Sequence, residues 1–132
     1  MTSVLLRHAS AGHRTDWEHD DSWRPLDARG RRQSAELVEI LLPLRVSRVV
    51  SSPYVRCVQT VEPLAAALGV EVEEDERLEE GAGAAATPLL SESGLVCCTH
   101  GDIAEALLGR SLKKGAGVVL EDGQVVREIP AP

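Results

Sequence analysis

Short apolar and β-branched runs recur at residues 4–6, 46–50, 70–72, 95–99, 118–120 and 125–129, bounded by polar or turn-forming residues, and each predicts a strand. Between the earlier runs the apolar spacing becomes helical. Leu37, Leu41 and Leu44, with Val38 and Leu42, form a stripe behind Asp27, which suits an N-cap, while Arg31, Arg32 and Glu39 mark the opposite face. A second helix has Ser52 as N-cap, Pro53 at its first position and a stripe of Cys57, Val58, Val61, Leu64, Ala65 and Leu68, stopped by Gly69. Inside it Pro63 lacks an N–H and predicts a kink or one weakened backbone bond. A third helix starts near Gly101 or Asp102 and runs through Leu108. Residues 81–87 are almost all Gly and Ala and predict a loop that feeds a short helix to Glu92.

Strands alternating with helices predict an α/β fold, a three-layer α/β/α sandwich around a mostly parallel, mixed sheet whose last two strands form an antiparallel edge. Ligands of such sheets gather at the carboxyl ends of the strands. Three segments end strands there: Arg7-His8, Ser51-Ser52 leading to Arg56, and Thr99-His100-Gly101. No repeat or linker interrupts the pattern, and 132 residues suit a single domain spanning 1–132.

Composition narrows the function. With no Phe, one Tyr and two Trp, the core must be built from aliphatic residues, and stacking platforms for single-stranded nucleic acid are missing. A net charge of -7, from 14 Lys and Arg against 21 Asp and Glu, argues against nucleic-acid or anionic-membrane partners. No run approaches the roughly 20 apolar residues of a membrane span, and the apolar start is too short for a signal peptide. Three cysteines, two of them adjacent on a strand, are expected to be reduced thiols of a cytoplasmic protein.

A phosphoryl-transfer site must cradle three equatorial oxygens, hold a nucleophile in line and protonate the leaving group. Two strand ends here deliver histidines and two segments deliver arginines, whose forked donors suit phosphate. The amino termini of the second and third helices, Gly101 among them, can aim N–H groups at the same anion. His8 attacks only if neutral at one ring nitrogen, a state that Arg7 and Arg56 favour by lowering its pKa.

The ordered motifs resemble the histidine phosphatase superfamily. Leu5-Leu6-Arg7-His8-Ala9 is similar to its first signature, Ser51-Ser52-Pro53-Tyr54-Val55-Arg56-Cys57-Val58-Gln59-Thr60 to its second, and Cys98-Thr99-His100-Gly101-Asp102 to its third. Asp20-Asp21 through Arg24-Pro25-Leu26-Asp27, with Gly30 to Gln33, resembles the SixA-like phosphohistidine phosphatase branch and related domains fused to Nudix hydrolases. The match covers about the first 110 residues. It implies a phosphoglycerate mutase-like fold in which His8 becomes phosphohistidine, and in which Arg7, Arg56 and His100 hold the phosphoryl group. It also implies that water completes hydrolysis and that no metal or other cofactor is required. Glu80 matches the position of the family's general acid, with Glu79 the alternative, and the loop carrying Arg14 and Trp17 is placed to touch substrate. The stretch after Gly81 is shorter than the lid of larger members, which implies an open site suited to a phosphorylated protein.

Other readings of these residues are weaker. His13, Asp16, Glu18, His19, Asp20 and Asp21 match no zinc spacing and read as a polar loop pinned by Trp17 and Trp23. A cysteine-nucleophile phosphatase needs Arg six positions after Cys, where Pro63, Ile103 and Ala104 stand instead. The leading expectation is therefore a protein phosphohistidine phosphatase. A phosphatase for small phosphate esters or nucleotides comes second, and a non-catalytic phosphate-binding module third.

Overall fold

The computed structural model describes residues 2–132. Six strands form one sheet: β1 (Thr2–Arg7), β2 (Arg48–Ser51), β3 (Val72–Glu74), β4 (Leu95–Thr99), β5 (Gly117–Glu121) and β6 (Gln124–Ile129). Their order is β3-β2-β4-β1-β5-β6. The β3-β2-β4-β1 portion is parallel, with Val4 opposite Val96 and Val49 opposite both Val72 and Val96. β5 runs antiparallel to β1, and β6 to β5, as the expected antiparallel edge.

Alternation along the strands divides the core between two faces. Val4, Leu6, Val49, Val96 and Cys98 join Leu37 and Leu41 of α1 (Ala28–Leu41) and Cys57, Val61 and Leu64 of α2 (Val55–Leu68). Leu5, Val50, Leu95 and Cys97 face the other way, onto Leu78, Leu89, Leu112 and Ala104 of α3 (Gly101–Leu108). The result is the expected three-layer sandwich, its second helical layer thinner than its first.

Asp27 caps α1 as expected, its carboxylate accepting from the Gly30 N–H at 2.8 Å. The remaining boundaries shift for local reasons. α2 begins at Val55 with Tyr54 at the cap, so Ser52 is not the N-cap. Its hydroxyl does accept from the Tyr54 N–H at 3.3 Å, but its other neighbour is His100. β3 starts at Val72 rather than residue 70, because the Val70 N–H is spent on the Ala65 carbonyl at the end of α2, where Gly69 turns left-handed at φ 71°. β2 likewise begins at Arg48, since the Ser47 and Arg48 N–H groups both bond the Gly94 carbonyl in a turn. The short helix toward Glu92 is a 3-10 helix, Thr87–Ser91, and another such turn at Leu42–Leu44 takes Leu44 out of α1. No helix among the described residues is long and apolar enough to cross a membrane.

Candidate active site

The central strands β1 and β4 end side by side, with Arg7 opposite Thr99. The His8 N–H continues the ladder to the Thr99 carbonyl at 2.9 Å, which brings the His8 and His100 rings to 5.5 Å between centroids. Both rings are buried, and α3 starts directly behind His100.

His8 Nδ1 lies 2.8 Å from the Ala9 carbonyl oxygen. A carbonyl only accepts, so in the neutral ring Nδ1 carries the proton and Nε2 keeps the lone pair. Burial lowers the His8 pKa to about 3; the bond to Ala9 works against that shift, while Arg56, His100 and Arg7 reinforce it. The arginine effect expected from sequence is present, but desolvation is larger.

The segment after His8 is fastened on several sides. The Ala9 N–H donates to Thr60 Oγ1 at 3.0 Å, the Ser10 N–H to Gln33 at 2.9 Å, and Asp27 accepts from the Ser10 hydroxyl and the Gly12 N–H. The Gln59-Thr60 pair therefore positions rather than reacts: Thr60 holds Ala9, and Gln59 accepts from the Leu26 N–H at 2.8 Å.

Arg7 donates through Nη1 to the Leu112 carbonyl at 2.8 Å and lies flat against Gly101, where a Cβ would sit 2.9 Å from the guanidinium carbon. The missing side chain at Gly101 thus lets the Arg7 guanidinium approach closely, and an added Cβ would displace it. Arg56 is fully buried and donates to the Asp21 carbonyl, the Asp21 carboxylate and Glu80 at 2.8, 3.0 and 2.8 Å. The Nε atoms of both arginines are buried without a hydrogen-bond partner among the described residues. Buried guanidinium N–H groups want an acceptor, and a phosphoryl oxygen is one.

His100 Nε2 faces Ser52 Oγ at 2.9 Å and Cys57 Sγ at 3.5 Å, and its Nδ1 lies 3.6 Å from Glu80. Glu80 also takes Arg14 at 2.9 Å, so one carboxylate ties together Arg14, Arg56 and the second histidine. A cavity of about 570 Å³ opens here, lined by Arg7, His8, Arg14, Tyr54, Glu80, Gly81, Gly101 and Asp102.

Arg7, His8, Arg56, His100, Glu80, Gly101 and Arg14 thus come together. Trp17 does not line the cavity: its Nε1 donates to the Asp20 carbonyl and its ring packs on His19. Trp23 is 64% exposed and pins nothing; the loop is held by Asp20 on Ser22 and by Asp21 on Arg24. Among the described residues no three His, Cys, Asp or Glu side chains converge in a metal-binding arrangement.

Three residues beside the cavity escaped the sequence reading. Asp21, read from sequence as part of a motif and of a polar loop but given no role in the site, accepts from Arg24 and Arg56 and pairs with Arg14 at 3.4 Å. Burial works against its charge, yet Arg24, Arg56 and Arg14 hold its pKa below the usual carboxylate value. Tyr54 stacks edgewise on His100 and under Arg56, and Asp102 accepts from the Gly81 N–H at 2.8 Å. Tyr54 stands two positions before Arg56 inside a quoted motif, which was the available signal; Asp21 lies 35 positions from Arg56, and its motif alone did not show that the two meet.

Two buried histidines, one with a free Nε2 lone pair, among arginines at the carboxyl edge of a mostly parallel sheet define a phosphoryl-handling α/β domain. The chain belongs to branch 1 of the histidine phosphatase superfamily, whose family model matches residues 3–87. It is 36% identical over 116 residues to an 8-oxo-(d)GTP phosphatase of Mycolicibacterium smegmatis. That alignment takes in 81% of this chain but 36% of the relative, so the chain spans about a third of that protein's length. Among solved structures, a SixA from Agrobacterium tumefaciens superposes with a TM-score of 0.77 at 18% identity, covering 99% of this chain and 97% of that one. The protein histidine phosphatase SixA in complex with tungstate gives 0.75 at 20%, covering 98% and 97%. These likenesses show the shared fold.

Proposed function

We propose that this chain hydrolyses phosphorylated nucleotides through a phosphohistidine formed on His8. The observation that carries the chemistry is the His8–Ala9 hydrogen bond, which leaves Nε2 unprotonated beside two arginines whose Nε–H groups lack acceptors. Nε2 attacks phosphorus, the bond to the leaving oxygen breaks, and that oxygen takes a proton from Glu80. Water then attacks phosphorus while the Glu80 carboxylate takes its proton, and the P–N bond breaks, releasing phosphate and restoring His8. Arg7, Arg56 and His100 neutralise the charge that builds on the equatorial oxygens. An entering phosphate monoanion competes with Glu80 for Arg56 Nη2 and passes its proton to the freed carboxylate, which then serves as the acid.

The 36% identity to an 8-oxo-(d)GTP phosphatase favours a nucleotide, the reading that stood second from sequence. The phosphohistidine-protein reading keeps one specific support: the segment after Gly81 forms only turns and a 3-10 helix, leaving the cavity open on that side.

The test pairs a terminally radiolabelled nucleoside triphosphate or diphosphate with a phosphohistidine protein as substrates. Acid-labile label should be trapped on the wild-type chain, and turnover should favour the nucleotide. His8→Ala should trap none and lose at least about a thousandfold in kcat. Label on another residue, or wild-type turnover by that variant, would exclude the mechanism; preference for the phosphoprotein would exclude only the nucleotide.

A further inference from the structure

A second cavity, of about 410 Å³, adjoins the first and is lined by Arg29, Lys113 and Lys114 together with His13, Asp27 and Gln33. The chain has only two lysines, and both are in this cavity. In a molecule of net charge -7 that placement makes a local island of positive charge. Arg14, Arg24, Arg48, Arg56, Arg77 and Arg110 each pair with a carboxylate, whereas Arg29, Lys113 and Lys114 have none within salt-bridge distance among the described residues.

The two cavities have no lining residue in common but are joined through the chain. Consecutive residues of one turn line them, His13 the second and Arg14 the first. The Gly115 N–H, next to Lys114, donates to both the Arg7 and His8 carbonyls, and Arg7 donates to the carbonyl of Leu112, next to Lys113. The lysine segment is therefore built onto the backbone of the catalytic strand end. Lys114 has a lowered pKa, first from burial and then from the charges of Arg7, Arg24 and Arg56, with Asp27 acting in the opposite sense. A cation placed near so many others is relieved by an anion.

Asp27 is the one carboxylate in this cavity, and its oxygens already accept from Ser10, Gly12 and Gly30. Gln33 is likewise occupied, with Ser10, Lys114 and Pro132 as backbone partners. The donors left to a ligand are those of Arg29, Lys113 and Lys114, all exposed.

We infer that Arg29, Lys113 and Lys114 form a second phosphate subsite, which holds the phosphate that is not transferred when a nucleoside diphosphate presents its terminal phosphoryl group to His8. This inference rests on the nucleotide reading of the catalytic cavity and assigns its specificity. A simple monoester reaches only the first cavity, whereas a diphosphate extends past the His13–Arg14 turn toward the second, so the lysines select for a chain of phosphates.

The experiment compares wild type with K113S/K114S and, separately, with R29S, after circular dichroism establishes that each is folded. Specificity is read as the ratio of kcat/KM for a nucleoside diphosphate to that for an aryl phosphate monoester. The ratio should fall by about tenfold in the lysine variant, through KM. A ratio within about twofold of wild type in both variants overturns the subsite. Calorimetric titration of the same proteins with inorganic pyrophosphate and with inorganic phosphate gives a readout independent of turnover. Pyrophosphate should bind wild type more tightly than phosphate does, and the lysine variant should lose that preference. Equal preference in both proteins overturns the subsite even in an active enzyme. Absence of turnover on both substrates, with the pyrophosphate preference intact, would instead overturn the catalytic reading and leave the subsite standing.

Discussion

At the scale of single residues, His8 contributes to the acid behaviour of the molecule. A free histidine titrates near 6.5, whereas buried His8 titrates at about 3, so between those values the unfolded chain binds a proton that the folded chain does not. Stability therefore rises with pH across that window, and the folded state loses the contribution of His8 as pH falls from about 6.5 toward about 3. Traversing the whole window costs on the order of 5 kcal/mol. The same shift keeps Nε2 unprotonated at pH 5, so kcat/KM should show no acid limb near pH 6.5 arising from His8. Proton NMR of the His8 ring, followed from pH 7.5 to the onset of acid unfolding, checks both statements; a midpoint near 6.5 would show that the ring is not held neutral. Arg7, His8, Arg56 and His100 were legible in the sequence because each follows or abuts a strand end in a recognisable order. Asp21 was not, because nothing in the local pattern shows that a carboxylate some 35 positions away will meet the Arg56 guanidinium.

At the scale of elements, the reactive loop is held by the start of a helix. Asp27 and Gly30 open α1, and Gly30 lies so close to the Ser10 carbonyl that an added Cβ would stand 1.9 Å from its oxygen. No side-chain rotation relieves that clash, because the obstacle is backbone. Gly30→Ala should therefore force α1 and the 9–12 segment apart, lowering stability by about 2–3 kcal/mol in chemical denaturation. It should also lower kcat, because Ala9 accepts the proton that fixes the His8 tautomer. Normal stability in that variant would show that the loop is not clamped by the helix. The cap itself was readable, since Asp27 precedes a helical stripe. The failure at Ser52 is instructive in the same terms: Ser-Pro resembles a helix start, but the hydroxyl is directed to His100, and α2 begins three residues later with no side-chain cap. A functional contact displaced a local preference there.

At the scale of the whole molecule, the sheet order explains why the motifs can be far apart in sequence and together in space. β1 lies between β4 and β5, and β4 between β2 and β1, so the strands delivering His8 and His100 are interior and paired on both sides. Alternating strands and helices predicted the layers and the antiparallel edge, yet strand order is a long-range property, and each short apolar run carries little of it. The order has a dynamic consequence. Opening β1 or β4 exposes both halves of the core, whereas β3 and β6 are edges, and Val125 and Val126 of β6 are exposed to solvent. Local opening free energies should therefore grade inward. In hydrogen exchange followed by mass spectrometry, peptides covering Val4–Leu6 and Val96–Cys98 should exchange last, at rates set by global unfolding, and those covering Val72–Glu74 and Gln124–Ile129 first. The 12–24 and 79–94 segments, which bring Arg14, Asp21 and Glu80 to the cavity, should exchange early as well, because their fastening is largely ion pairs and turns. A site divided in this way has a rigid His8 and movable carboxylates, which is what the proposed displacement of Glu80 from Arg56 by an entering phosphate requires. Uniform protection across β1 and the Glu80 segment would argue that the carboxylate is fixed in place and cannot give way to substrate.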